Sequence, residues 1–317
     1  MTRHGAGLAL AAAAAACATL SAVIAGQVAP RAAELPVSQH QAVTLTAAAA
    51  SYYSLTRLAL ISGVQLTETD KISGSSPGSG YPTIAAWRIS TSTEDTTHHQ
   101  WLEPGSRTIV FDRRTAELIN CCDAGINGNA LLRQTGIAGY AFPVGTRQQA
   151  YPVFDAVLGQ PEPASYSGTA AVDGIRVYQF TEDISAAKAP PSAAFPDQAT
   201  RYSVHRVYSV DPDTGLLLDL SEDEDQYLAP TGSGGRVTLF DASLRMRPAS
   251  VARLVAEDAG VREHRTRIAA ARTGCLAAAG VLAAVAAWAL VPWPARRRRP
   301  PSRPPLTDGE PLPAGQR

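Results

Sequence analysis

Two stretches of the chain carry no charge at all, one near each end, and between them apolar and polar residues alternate in short runs. The first stretch covers residues 8–29. At about 1.5 Å per residue, a helix of that length spans roughly 33 Å, close to the thickness of a bilayer core. Arg3 precedes it and Pro30-Arg31 closes it. The second covers residues 273–293, with Trp288 and Trp293 near one end, where indole rings favour the headgroup level. Arg296, Arg297, Arg298 and Arg299 follow at once, a run in which a buried soluble helix rarely ends. The pattern predicts a transmembrane helix at each terminus. The first is read as an uncleaved anchor, with a signal peptide cut after Val23-Ile24-Ala25 as the alternative.

Between the spans the pattern is that of strands. Val43-Thr44-Leu45-Thr46 alternates. Residues 62–72, 83–93, 107–112, 175–184, 202–210, 215–220 and 236–244 follow as short runs rich in Val, Ile, Tyr, Phe and Thr, bounded by Gly, Pro and Asp. No strand–helix alternation appears, which argues against a parallel doubly wound sheet. The expected fold is mainly β, an antiparallel, mixed β-rich domain flanked by N- and C-terminal transmembrane α-helices. One echo suggests two lobes. Phe111-Asp112-Arg113-Arg114-Thr115-Ala116 and Val210-Asp211-Pro212-Asp213-Thr214-Gly215 each read as a strand, an Asp-x-x-Thr-small turn and the start of a second strand. Two independent hairpins using favoured turn chemistry would give the same match.

Arg247-Pro248 breaks the β pattern. Ser250 is placed to cap a helix through Ala252, Leu254, Val255, Val261 and Ile268, a stalk leading into the second span. The tail from Pro294 is rich in Pro and Arg and is expected to be disordered. The expected organisation is an anchor over 1–30, a β-rich extracytoplasmic domain over 31–247, a stalk over 248–272, a span over 273–293 and a basic cytoplasmic tail over 294–317. The positive-inside rule puts Arg3 and the Arg296–Arg299 cluster in the cytoplasm, the cluster against anionic lipid, and residues 31–272 outside. Arg262, Arg265, Arg267 and Arg272 on the other flank work against this, offset by Glu257, Asp258 and Glu263.

Composition removes some function classes. Formal net charge is zero, so nothing suggests general affinity for nucleic acid. Of the four cysteines, Cys17 and Cys275 lie in the apolar stretches, and Cys121-Cys122 are adjacent, so no zinc spacing occurs. The adjacent pair could form a vicinal disulfide, pair elsewhere or stay free. Gly74-Ser75-Ser76-Pro77-Gly78 matches a nucleophile elbow in form only, because Pro77 lacks the amide that an oxyanion hole needs. His98-His99 beside Glu94 and Asp95 read as a surface loop rather than a metal site, since neighbouring side chains on a strand point to opposite faces. Glu222-Asp223-Glu224-Asp225 lacks the spacing of a calcium loop and reads as a solvated hairpin edge. No catalytic constellation, metal site or cofactor site is expected, and the chain is read as a non-enzyme. The aromatic residues Tyr140, Phe142, Tyr151, Phe154, Tyr178 and Phe180 are the candidates for an apolar cavity, with a hydrophobic core as the competing reading. In the Ala-rich spans, Ala11 and Ala15, and Ala279, Ala283 and Ala287, show a small-xxx-small spacing that would suit helix pairing or a homo-oligomer.

Four segments in order carry a family resemblance: residues 110–115 (Val-Phe-Asp-Arg-Arg-Thr), Gly139-Tyr140-Ala141-Phe142-Pro143-Val144 leading to Tyr151-Pro152-Val153-Phe154-Asp155, residues 172–180, and Tyr208-Ser209-Val210-Asp211-Pro212-Asp213-Thr214-Gly215. With the terminal spans, this resembles the actinobacterial porin PorA family of two-span envelope proteins, over nearly the whole chain except the tail. Ala116 stands where that family usually has Gly. The resemblance implies a channel by its name. The short, interrupted strands do not suit a membrane barrel, which needs many strands of about ten residues. The expected function is therefore a membrane-anchored envelope protein with a non-enzymatic binding or scaffolding domain, with an envelope lipid or a membrane protein as partner. The alternative is an oligomeric channel.

Overall fold

The computed structural model describes residues 3–78, 80–102, 104–192, 195–230 and 235–291. The Arg296–Arg299 cluster, Trp293 and the expected tail lie outside them. The chain divides into two units, residues 1–21 with 274–317, and residues 22–273.

The smaller unit is a pair of helices, the first part of α1 (Arg3–Val23) and the last part of α3 (Pro248–Leu290). Both helices are long and apolar enough to cross a membrane. They pack through small residues. Gly7, Ala14 and Ser21 are buried on α1, and Ala286 and Ala289 on α3. The α1 spacing of seven is the repeat of a coiled-coil seam, in which every second turn returns to the same face. A Cβ on Gly7 would lie 2.9 Å from Leu290 and 3.5 Å from the Ala289 methyl, so the start of α1 meets the end of α3 and the pair runs antiparallel. Within the chain the helix pair does not use the spacing of four. Ala15, Ala283 and Ala287 are exposed, because the partner helix lies over the Gly7 stripe instead.

In the larger unit α1 passes through a π-helical turn (Ile24–Val28) into a short α2 (Ala29–Ala32). Twelve strands follow. The first half of the chain gives β1 (His40–Ser54), β2 (Ala59–Ser75), β3 (Ile84–Asp95), β4 (Gln100–Trp101), β5 (Gly105–Asp112) and β6 (Gly125–Ile126). The second half gives β7 (Tyr151–Asp155), β8 (Gln160–Val172), β9 (Ile175–Ala189), β10 (Thr200–Val210), β11 (Leu217–Leu228) and β12 (Val237–Met246). All are antiparallel and form one half-barrel sheet in the order β6-β5-β3-β2-β1-β12-β11-β10-β9-β8-β7, with β4 added on β3. The two halves of the chain join where the first strand pairs the last, Leu45 opposite Met246. One principal core serves both halves. Trp87, Phe111, Phe142, Phe180, Leu45 and Leu218 are fully buried in it, and Leu254 of α3 packs against it. The echoing hairpins therefore belong to a single sheet.

The mainly β reading with a helix at each end holds. The strand at 160–172 was not anticipated, because Ser, Gly, Ala and Pro dilute its pattern. Stalk and second span are one helix with no break at 272. Ser250 does not cap it. The helix begins two residues earlier, and the Ser250 hydroxyl accepts the Thr44 amide at 3.0 Å, tying the helix to β1.

Five turns share one device. Ser54, Asp95, Asp112, Asp155 and Asp211 each accept, through the side chain, the amide of the second or third residue onward. Four residues after each stands a left-handed residue: Leu58, His99, Ala116, Gly159 and Gly215, with φ from 50° to 78°. The side-chain oxygen satisfies the turn amides, and the left-handed residue returns the chain to the next strand. The sequence echo had caught two of the five.

Candidate functional site

Alternation along the central strands brings an unusual set of charges onto the inner face. Glu68 and Asp70 of β2, Arg107 of β5, Glu182 of β9, Arg206 of β10, and Glu222 and Glu224 of β11 share that face with the apolar core. The expectation that residues 222–225 form a solvated hairpin edge is overturned. They lie in a central strand, where Glu222 and Glu224 point inward while Asp223 and Asp225 point outward to Arg245 and Arg236.

Arg206 organises one half of this belt. It sits between Glu182 and Glu222 in register on its two neighbouring strands. Its guanidinium donates to Glu182 at 2.7 Å, to both oxygens of Glu222 at 2.8 Å, and to Asp155 at 3.3 Å. Tyr208 donates to Glu182 at 2.7 Å and Tyr202 to Asp155 at 2.9 Å. Arg206 outweighs burial at Glu222 and holds that carboxyl below its usual range. Glu182 still titrates high, because burial outweighs its partners.

In the other half no cation forms an ion pair with Glu68, Asp70 or Glu224 among the described residues. Tyr140 and Thr91 donate to Asp70 at 2.8 and 2.5 Å, and Thr93 to Glu68 at 3.2 Å. Burial, with Asp70 and Glu222 alongside, pushes Glu68 up to about 8. Burial and the Glu222 charge raise Glu224 well above the ordinary carboxylate range. Burial also raises Asp70. Glu68 therefore holds its proton at neutral pH, because low dielectric and like charge both disfavour ionisation. Arg107 donates to Gln134 at 2.7 Å and lies over the Phe154 ring.

The predicted cavity residues sit close to this belt. Phe142, Tyr151 and Phe180 pack against one another with centroids 4.9–5.6 Å apart, and all three are buried. Phe154 is buried as well, and Tyr140 and Tyr178 are half-buried. None of the six lines either of the two clefts described below.

One cleft, of about 510 Å³, is walled by Arg31 of α2, by Glu34 and Pro36 after it, and by Glu257, Val261 and His264 of α3. Glu34 is fixed by Arg113 at 2.6 Å and Arg114 at 3.3 Å. A second, of about 460 Å³, lies on the outer face over β2, β3 and β5. The Cys121–Cys122 pair is joined as a vicinal disulfide, and Cys122 and Asp123 form a wall of this second cleft. Sequence could not find either cleft, since each gathers residues from distant segments.

His98 and His99 occupy the β3–β4 turn, where His98 contacts Asp95 at 2.8 Å. Ser75 lines the second cleft with His40 and Asp123 but is hydrogen-bonded to neither, and Ser76 bonds to Gly78 within its own loop.

No curated protein matches the chain. The Porin PorA family model matches residues 6–289. Two helices fit to cross a bilayer and this match together mark a membrane protein. The chain belongs to the Porin PorA family.

Proposed function

We propose that the protein crosses the membrane twice and holds its β unit outside the cytoplasm as a non-enzymatic binding module, with lipid as its ligand. The observation that carries this reading is the cleft of about 510 Å³ between the segment after α2 and the first half of α3. It combines apolar lining from Pro36, Leu216 and Val261 with the Arg31 guanidinium and the His264 imidazole, beside Glu257 and beside Glu34, which Arg113 and Arg114 already pair. That is the chemistry of an anionic headgroup above the first carbons of its chains. The half-buried Tyr140 and Tyr178 remain candidate ligand contacts on the inner face, over the core that includes Phe142, Tyr151 and Phe180.

The second reading is a channel formed by several copies. The family name favours it, and so does the half-barrel, which carries inward carboxylates. Against a pore within one chain stands the inner face itself, filled by Phe142, Phe180 and Tyr208.

The test is to purify the protein from membranes, identify co-purifying lipid by mass spectrometry, and record conductance in planar bilayers. Lipid retained by the parent and lost from Arg31→Ala with His264→Ala supports the binding module. Stepwise conductance without bound lipid would replace it with the channel. Tags at each end and in the loop 74–80 report orientation in intact cells; a protected loop with exposed termini would reverse the topology.

A further inference from the structure

On the outer face of the sheet, four polar side chains stand in one cross-strand row. The register sets His40 of β1 opposite Ser73 of β2, Ser73 opposite Arg88 of β3, and Arg88 opposite Thr108 of β5. Adjacent strands lie about 4.8 Å apart, so the row runs roughly 14 Å. These residues floor the cleft of about 460 Å³, with Ser75 and Ala86 in the next row. That volume falls within the usual range for ligand pockets.

The far wall is Cys122-Asp123. Both residues adopt left-handed backbone, φ 57° and 70°, on a chain segment where neither is glycine. Non-glycine residues held in that region mark places where the surrounding structure overrides local preference, often at ligand sites. Here the surroundings are firm. Asn127 and Ser106 exchange two bonds at 2.7 Å, and Asn120 exchanges two with Gln134 at 2.7 and 2.8 Å. The wall is therefore set before any ligand arrives.

The lining chemistry selects a ligand class. Arg88 only donates, Asp123 only accepts when ionised, and Ser73, Ser75 and Thr108 do both. Arg88 has no ion-pair partner among the described residues. Opposite signs on floor and wall do not suit a simple anion, which Asp123 would repel. They suit neighbouring hydroxyl groups, each of which gives one hydrogen bond and takes another. The disulfide, Pro77 and Ala86 add apolar surface for the C–H face of a ring. We propose that this cleft binds a short saccharide, laid along the His40–Ser73–Arg88–Thr108 row with its apolar face on the vicinal disulfide. This goes beyond the lipid cleft to a second site, and rests on the reading of the β unit as a binding module.

The experiment uses the full chain in detergent micelles against an array of defined neutral mono- to tetrasaccharides, with inorganic phosphate as a competing probe. Lipid content is measured on the same preparations. The expected result is saturable retention of a subset of glycans, weakened at least tenfold by Arg88→Ala and by Asp123→Ala. Arg57→Ala, on an exposed turn away from the cleft, should leave retention unchanged. Cys121→Ser with Cys122→Ser should weaken it, and thermal melting will establish that the double variant is folded. If that variant unfolds, the Arg88 and Asp123 variants decide alone. No retention by the parent, retention indifferent to Arg88 and Asp123, or full displacement by phosphate would each overturn the proposal. Loss of saccharide binding with lipid still bound rejects this site only; loss of both rejects the binding module.

Discussion

Ala116 and Gly215 occupy the same position in two copies of one turn. Each has positive φ, 58° and 78°, and each donates its amide to the carbonyl of the Asp four residues earlier, at 2.9 Å in both cases. Their surroundings differ. A Cβ on Gly215 would lie 2.3 Å from the Phe142 carbonyl oxygen, whereas the Ala116 methyl is accommodated in the core.

The first prediction follows from that difference. Gly215→Ala should cost more than about 2 kcal/mol, from backbone clash added to left-handed strain. Leu58 holds the equivalent position in an exposed turn, at φ 50° and 74% exposed, so Leu58→Gly removes strain and little packing. It should gain about 0.5–1 kcal/mol. Denaturant melts of the two variants check this; equal effects would refute the shared turn geometry.

The second concerns pH. Glu68 titrates at about 8 in the fold, against an ordinary value of 4.5. A folded pKa raised above the unfolded one gives stability that is complete below about 4.5 and lost as pH rises towards 8. Glu224 and Asp70 are shifted in the same direction. The β unit should melt at lower temperature at pH 8.5 than at pH 5.5, and Glu68→Gln should flatten the profile in that window. Melting curves across pH give the answer; a parent profile that rises to pH 8.5 would contradict the protonated belt.

A third prediction concerns Arg206. Replacing it with Met leaves Glu182, Asp155 and Glu222 without their guanidinium, and should cost on the order of 3–5 kcal/mol at pH 7.5. The loss should shrink at pH 5, where the carboxyls can take up protons. A loss independent of pH would mean that packing, not charge, is what Arg206 supplies.

The fourth tests the helix pair. The 3.5 Å between a Cβ on Gly7 and the Ala289 methyl falls at the short end of disulfide geometry. Gly7→Cys with Ala289→Cys, in a chain lacking Cys17 and Cys275, should form an intramolecular disulfide in membranes. A band at twice the chain mass, with no internal link, would place the partner helix in another copy.

The last concerns the aromatic core. Phe154→Ala should cost about 3–5 kcal/mol. Tyr140→Phe keeps the ring and removes only the donor to Asp70, so it should cost about 1–3 kcal/mol. Thermal melts rank the two; a larger loss from Tyr140→Phe would make the polar belt, rather than the rings, the main support.

Much was legible in the sequence for local reasons. Charge-free stretches of membrane length declare themselves, since a bilayer tolerates charge poorly. Alternation at 175–184 and 202–210 fixed which side chains share a face, because the strand period is two. Asp211 and Gly215 announced their turn, as both residue types act on their own backbone.

What only the tertiary structure decided depends on neighbours far along the chain. The sequence shows four acidic residues at 222–225 and cannot say that two enter a core, since that requires Arg206 on the adjacent strand. It shows alanines at every spacing in the spans. Only the fit of Leu290 against Gly7 selects the stripe that packs, because helix pairing follows shape and not hydrophobicity once both helices are apolar. It shows His40, Ser73, Arg88 and Thr108 as unrelated polar residues. Strand register alone sets them in one row.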